Sequence, residues 1–100
     1  MIIMSKTELN IDLNTTVSQT PGHIVSDMNG EKVMLSVANG KYYNLGAIGG
    51  DIWGYIQKPI TIDSLVNNLL TKYEVSKLDC QEQVESFLRV LKKEGLINIE

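Results

Sequence analysis

The sequence predicts an α+β domain: a three-stranded antiparallel β-meander followed by three helices, a winged-helix-like layout. Three observations predict it. Two Asn-Gly pairs, Asn29-Gly30 and Asn39-Gly40, lie between runs rich in apolar and β-branched residues. From Gly46 onward the apolar residues recur at helical spacing. Pro59, Asp79 and Gly95 then divide that stretch into three segments.

The meander comes first. A two-residue type I′ turn needs φ > 0 at both central positions, which Asn and Gly tolerate best. Two such turns give strands over 23–28, 31–38 and 41–45. In the first hairpin Met28 faces Glu31, Ser26 faces Val33 and Ile24 faces Leu35. In the second, Val37 faces Tyr42 and Leu35 faces Asn44. One sheet face then carries Ile24, Val33, Leu35, Val37 and Tyr42, and this is the expected core face. The other carries Val25, Met34, Ala38, Tyr43 and Leu45 among polar residues, and is expected to be covered only in part.

The helices follow. Ile48, Ile52, Trp53 and Ile56 give the first, over Gly46 to Gln57, despite Gly49, Gly50 and Gly54. Thr61-Ile62-Asp63 opens the second, with Leu65, Val66, Leu69, Leu70 and Tyr73 on its apolar side. Asp79 is the expected N-cap of the third, with Glu82 completing a capping box. Cys80, Val84, Phe87, Leu88 and Leu91 form its buried stripe. Gly95 suits the C′ position, and Leu96 to Ile99 form an extended tail. Upstream, Leu9, Ile11 and Leu13 alternate, so residues 1–19 read as an arm or a short extra strand and 20–100 as the domain.

Composition narrows the function. The chain has 100 residues, 43% of them hydrophobic, which suits one domain with a modest core. The net charge of −3 argues against nucleic acid, since phosphate binding wants clustered cations. Met1 to Met4 is too short an apolar run for a signal peptide or membrane span. A single cysteine allows no intrachain disulfide, which points to the cytoplasm.

Reactive groups do not converge. His23 is the only histidine and starts a strand, and no His/Cys cluster has metal spacing. Cys80 follows the expected cap, where a thiol can be activated, yet it falls on the apolar stripe. Gly46 to Gly50 lacks the Lys-Ser/Thr of a phosphate loop. No catalytic residue, metal or cofactor is therefore assigned. Geometry remains: the 41–45 strand is an edge with one charge and no proline, poorly defended against pairing. Such an edge recruits a peptide by β-augmentation. Val90 lies off the core stripe of the third helix, flanked by Gln83, Ser86 and Glu94. A helix beside the edge would complete a groove. The competing reading is a winged-helix DNA-binding regulator, but the third helix mixes Glu82, Glu85 and Glu94 with Arg89, Lys92 and Lys93.

One resemblance sharpens this. Gly40-Lys41-Tyr42-Tyr43-Asn44-Leu45, Gly49, Ile52-Trp53, Leu65, Tyr73, Val84, Phe87-Leu88 and Leu91 through Gly95-Leu96-Ile97 together resemble the PqqD-like family, the RiPP recognition elements. The Tyr-Tyr pair and Pro59-Ile60-Thr61 look most like the separate leader-recognition proteins of lasso-peptide biosynthesis. Gln57-Lys58-Pro59 departs from the Asp-Gly turn of many relatives. The resemblance implies that the leader of a precursor peptide, often with a Tyr-x-x-Pro element, adds antiparallel to the third strand and packs on the third helix. It implies a companion leader peptidase, a transglutaminase-like cysteine protease, with a ring-closing cyclase as a further partner. It places peptide contacts at Lys41, Tyr42, Tyr43, Asn44 and Leu45, and at Gln83, Val84, Phe87, Val90 and Leu91.

Overall fold

The computed structural model describes residues 11–100. Six strands and three helices follow in the order β1 (Thr16–Gln19), β2 (His23–Met28), β3 (Glu31–Ser36), β4 (Lys41–Leu45), α1 (Gly46–Tyr55), β5 (Ile60–Thr61), α2 (Ile62–Leu70), α3 (Lys77–Lys93) and β6 (Ile97–Ile99). The strands form two antiparallel sheets, β2-β3-β4 and β5-β1-β6. The expected meander and three helices are present; the second sheet is additional.

The first turn follows its chemistry. Asn29 and Gly30 have φ of 58° and 84°, as a type I′ turn requires. Met28 pairs with Glu31, Ser26 with Val33 and Ile24 with Leu35. The second turn departs from expectation. Only Gly40 of its Asn-Gly pair has positive φ, 65°. β3 ends at Ser36, whose Oγ accepts from the Asn39 backbone N–H at 3.1 Å while its carbonyl accepts from Gly40 N–H at 2.8 Å. Residues 37–40 therefore all belong to the turn. The pairing slides by two residues: Tyr42 faces Leu35, not Val37, and Asn44 faces Val33, not Leu35. A slip of two keeps every side chain on its face.

The assignment of faces is corrected. Met34 and Ser36 are fully buried, Leu45 is buried, and Val25 and Tyr43 pack against the core. Ile24, Met28, Val37 and Tyr42 are exposed. The cause is the junction after β4, where Leu45 runs straight into α1 without a linker. A helix starting there folds back on the face to which Leu45 points, and α1 packs on β3. Gly50 permits the approach, because a Cβ there would collide with the Lys32 side chain.

Helix ends are set by local hydrogen bonds. Thr61 caps α2, its side chain accepting from Ser64 N–H. α3 begins two residues before the expected cap at Asp79. Ser76 is the N-cap, its Oγ accepting from Asp79 N–H at 3.1 Å, and Asp79 sits in the first turn. The sequence concealed this start because Leu78, the one apolar residue there, is exposed. At the other end Leu96 N–H donates to Leu91 C=O at 2.9 Å and Gly95 N–H to Lys92 C=O at 3.0 Å. With φ of 77° at Gly95, this is a Schellman ending.

The second sheet closes the core. Val17 of β1 pairs with Ile60 on one side and Ile99 on the other. It is fully buried, with Ile56, Ile62, Leu65, Leu88 and Leu96. The expected alternating strand at Leu9, Ile11 and Leu13 falls partly outside the described residues. Residues 11–14 contain a turn instead, held by Asp12 Oδ1 accepting from Asn14 N–H at 2.8 Å.

Candidate functional site: a strand edge flanked by a helix

β4 is the outer strand of the meander, so among the described residues one side of its backbone has no partner strand. Which groups face outward follows from the turns. A two-residue turn makes Met28–Glu31 a hydrogen-bonded pair. The same phase returns at Val37, whose N–H donates to Gly22 C=O at 3.3 Å. Odd-numbered residues of β3 therefore bond to β2, and even-numbered ones to β4. Met34 and Ser36 pair with Tyr43 and Lys41, so those two residues of β4 point their backbone inward. Tyr42 and Asn44 present N–H and C=O groups at the open edge.

Side chains on β4 divide in the same alternation. Tyr42 stands on the outer face, 76% exposed. Asn44 braces the strand end, with Oδ1 accepting from Gly46 N–H at 3.0 Å and Nδ2 donating to Glu31 at 3.2 Å. Tyr43 points the other way, toward the C-terminal end of α3. Its hydroxyl donates to Glu94 Oε1 at 2.7 Å. Asn39 Nδ2 donates to the Glu94 carbonyl at 2.9 Å and to Tyr43 Oη at 3.1 Å, and Lys41 Nζ lies 3.5 Å from Glu94 Oε1. These four side chains form a clasp that ties the meander to α3.

α3 runs back from the clasp past the other end of β4. Gln83 and Val90 are exposed, and Phe87 is half-buried beside bare Gly49, where a Cβ would stand 3.0 Å from its ring. Val84 and Leu91 are in the core, at 1% and 2% exposure. They support α3 from beneath and do not line its surface, and buried Leu45 does the same for β4. The expected contact set therefore splits. Lys41, Tyr42, Tyr43, Asn44, Gln83, Phe87 and Val90 reach the surface, while Leu45, Val84 and Leu91 hold it in place. Beyond Phe87 a cavity of ≈ 530 Å³ opens between α1 and α3, lined by Ile48, Gly49, Ile52, Asp79, Glu82, Gln83, Ser86 and Phe87. The clasp and this cavity were not read from the sequence. Gln83, Ser86 and Glu94 on the flank of Val90 were the one available signal.

The clasp makes Glu94 acidic. The hydrogen bond from Tyr43, then the Lys41 charge, hold its carboxyl below the ordinary value of 4.5, against a small opposing effect of burial. A depressed folded value adds stability that is fully present above the unfolded value and is lost as pH falls through the folded one. Wild type should therefore lose stability below pH 4.5 more steeply than Glu94→Gln, whose deficit should shrink with acid. Urea midpoints at neutral and acid pH test this, and parallel pH profiles would refute it.

Reactive side chains lie elsewhere. Cys80 is buried, and burial pushes its thiol up from its ordinary value, opposite to activation. His23 Nε2 lies 2.8 Å from Thr20 Oγ1, and its ring meets Trp53 edge-on at 5.9 Å. Among the described residues no three His, Cys, Asp or Glu side chains are placed to hold a metal. No helix among them is long and apolar enough to cross a membrane.

The family model for coenzyme PQQ synthesis protein D (PqqD) matches residues 31–97, from the meander through α3 into β6. The chain belongs to the PqqD family. Two solved structures share the family's fold with it. One is TbiB1 in complex with the TbiA(beta) leader peptide, with a TM-score of 0.73 and 22% identity over 81% of this chain and 94% of that one. The other is lasso peptide synthetase B1 complexed with the leader peptide, with a TM-score of 0.71 and 20% identity over 82% and 96%. No curated protein matches. In this member of the family the open edge of β4 lies within the matched residues, and so do Asn39 and Glu94.

Proposed function

We propose that this protein is a non-catalytic leader-recognition protein of lasso-peptide biosynthesis. It binds the leader of a precursor peptide as an added antiparallel strand on β4, packs it against α3, and presents it to a companion leader peptidase, a transglutaminase-like cysteine protease. The cyclase is a further partner, and the cytoplasm the compartment. The observation that carries this reading is the open edge of β4 with the exposed flank of α3 beside it. Backbone groups of Tyr42 and Asn44 supply strand pairing, and Phe87 and Val90 supply apolar contact. Membership of the PqqD family and two neighbours in fold that were solved with leader peptides support it.

The test is a titration of the isotope-labelled protein with a synthetic leader of its cognate precursor. Saturable binding is expected, with the largest amide shifts at Tyr42, Asn44 and Val90. Shifts centred on β2, the other edge, would place the peptide elsewhere. Absence of binding would refute the reading.

A further inference from the structure

Backbone pairing at β4 is blind to sequence, so selectivity must come from side-chain sites beside the edge. The cavity between α1 and α3 is such a site. Its floor is apolar: Ile48, Gly49, Ile52 and Phe87. Gly49 shapes it, because a Cβ there would stand 3.0 Å from the Phe87 ring and press it a few tenths of an ångström aside. Its rim is acidic. Asp79 and Glu82 line it together with Gln83 and Ser86. Asp79 and Glu82, three residues apart, share one face of α3. Among the described residues Asp51, Asp63, Glu85 and Glu94 are each in an ion pair, whereas neither Asp79 nor Glu82 is. An apolar hollow overlooked by two carboxylates without a cation is complementary to an apolar side chain with a positive neighbour.

We infer that this cavity is a specificity subsite for the bound peptide, taking one large apolar side chain while an adjacent Lys or Arg meets Asp79 and Glu82. The inference rests on the reading that the peptide pairs with β4. Geometry also fixes where the motif falls. Glu94 meets Tyr43, whereas Phe87 shares the neighbourhood of Gly49 with Leu45, so the first turns of α3 lie beyond the Leu45 end of β4. An antiparallel strand enters from that end. The cationic and apolar pair therefore precedes, in the peptide, the segment paired with Asn44 and Tyr42.

The experiment selects a random peptide display library on the intact protein and on Asp79→Asn/Glu82→Gln. Wild type is expected to enrich Lys or Arg beside a large apolar residue, N-terminal to a strand-forming segment. The double variant is expected to keep the apolar preference and lose the cationic one. The best wild-type peptide should bind it about tenfold more weakly, and that gap should close as salt is raised. Glu82→Gln alone, at an exposed position, should show part of the effect if the double variant is poorly folded. Equal cation enrichment on both proteins, or none on either, overturns the subsite while edge-dependent binding persists. Selection of peptides indifferent to a block of the β4 edge overturns the edge reading and the subsite with it.

Discussion

Replacing Tyr42 with proline is expected to abolish leader capture while leaving the domain folded. The N–H of Tyr42 points away from β3, so a proline there removes no ladder bond of the free protein, as edge strands allow. The Tyr42 side chain is 76% exposed and contributes little to the core. An incoming strand, by contrast, loses a hydrogen-bond donor and meets the pyrrolidine ring where a carbonyl should sit. The combined cost is about 2–4 kcal/mol, or roughly 30- to 1000-fold in affinity. Tyr42→Ala separates backbone from side chain and should keep most of the binding. Tyr43→Pro is the opposite control. Its N–H belongs to the β3 pairing and its hydroxyl to the clasp, so that variant should be destabilised outright. Fluorescence polarisation with a labelled leader, alongside thermal melts, reads all three. If Tyr42→Pro binds within about threefold of wild type, the peptide does not pair with β4.

The second large effect is on stability. Val17→Asp should cost about 4 kcal/mol or more, a large part of the roughly 5–15 kcal/mol that holds such a domain together. Val17 is fully buried in the central strand of the β5-β1-β6 sheet. A carboxylate at so buried a position is shut off from solvent, so it either stays charged at great cost or takes up a proton. Ser18→Asp, one residue along and half-buried on the opposite face, should cost about 1 kcal/mol or less. Urea unfolding of the pair measures the difference. Equal midpoints would mean that β1 does not contribute to the folded core.

These two residues mark what the sequence disclosed and what it withheld. The 41–45 strand was legible because turn chemistry and strand composition agree within a few residues. So were α2, and the end of α3 at Gly95. The β5-β1-β6 sheet was not legible. Its strands have four, two and three residues, too few for a period to emerge, and they pair across most of the chain. The core face of the meander was misjudged because both faces carry comparable apolar residues. What decides between them is the direction in which α1 leaves Leu45, a tertiary fact. Within the site, Tyr43 and Val90 were found as an edge aromatic and an off-stripe apolar residue. Asn39 was spent on the expected turn, when its side chain in fact reaches the Glu94 carbonyl. Val84 and Leu91 were drawn toward the peptide by a pattern that marks the core more strongly than the groove.

The pairing of Val17 with Ile99 also has a kinetic meaning. The β2-β3 and β3-β4 hairpins join neighbours in sequence and can form in about 1–10 μs. The β1-β6 ladder must instead close a loop of about 80 residues, at an entropic cost of roughly 4 kcal/mol. That ladder should form late, once α3 has delivered β6. During synthesis at about 5–20 residues per second, β1 waits some 4–16 s for the strand that will cover it. Throughout that interval Val17 has only a transient shelter, so the nascent chain is at its most vulnerable to mispairing while the β4 edge is already built.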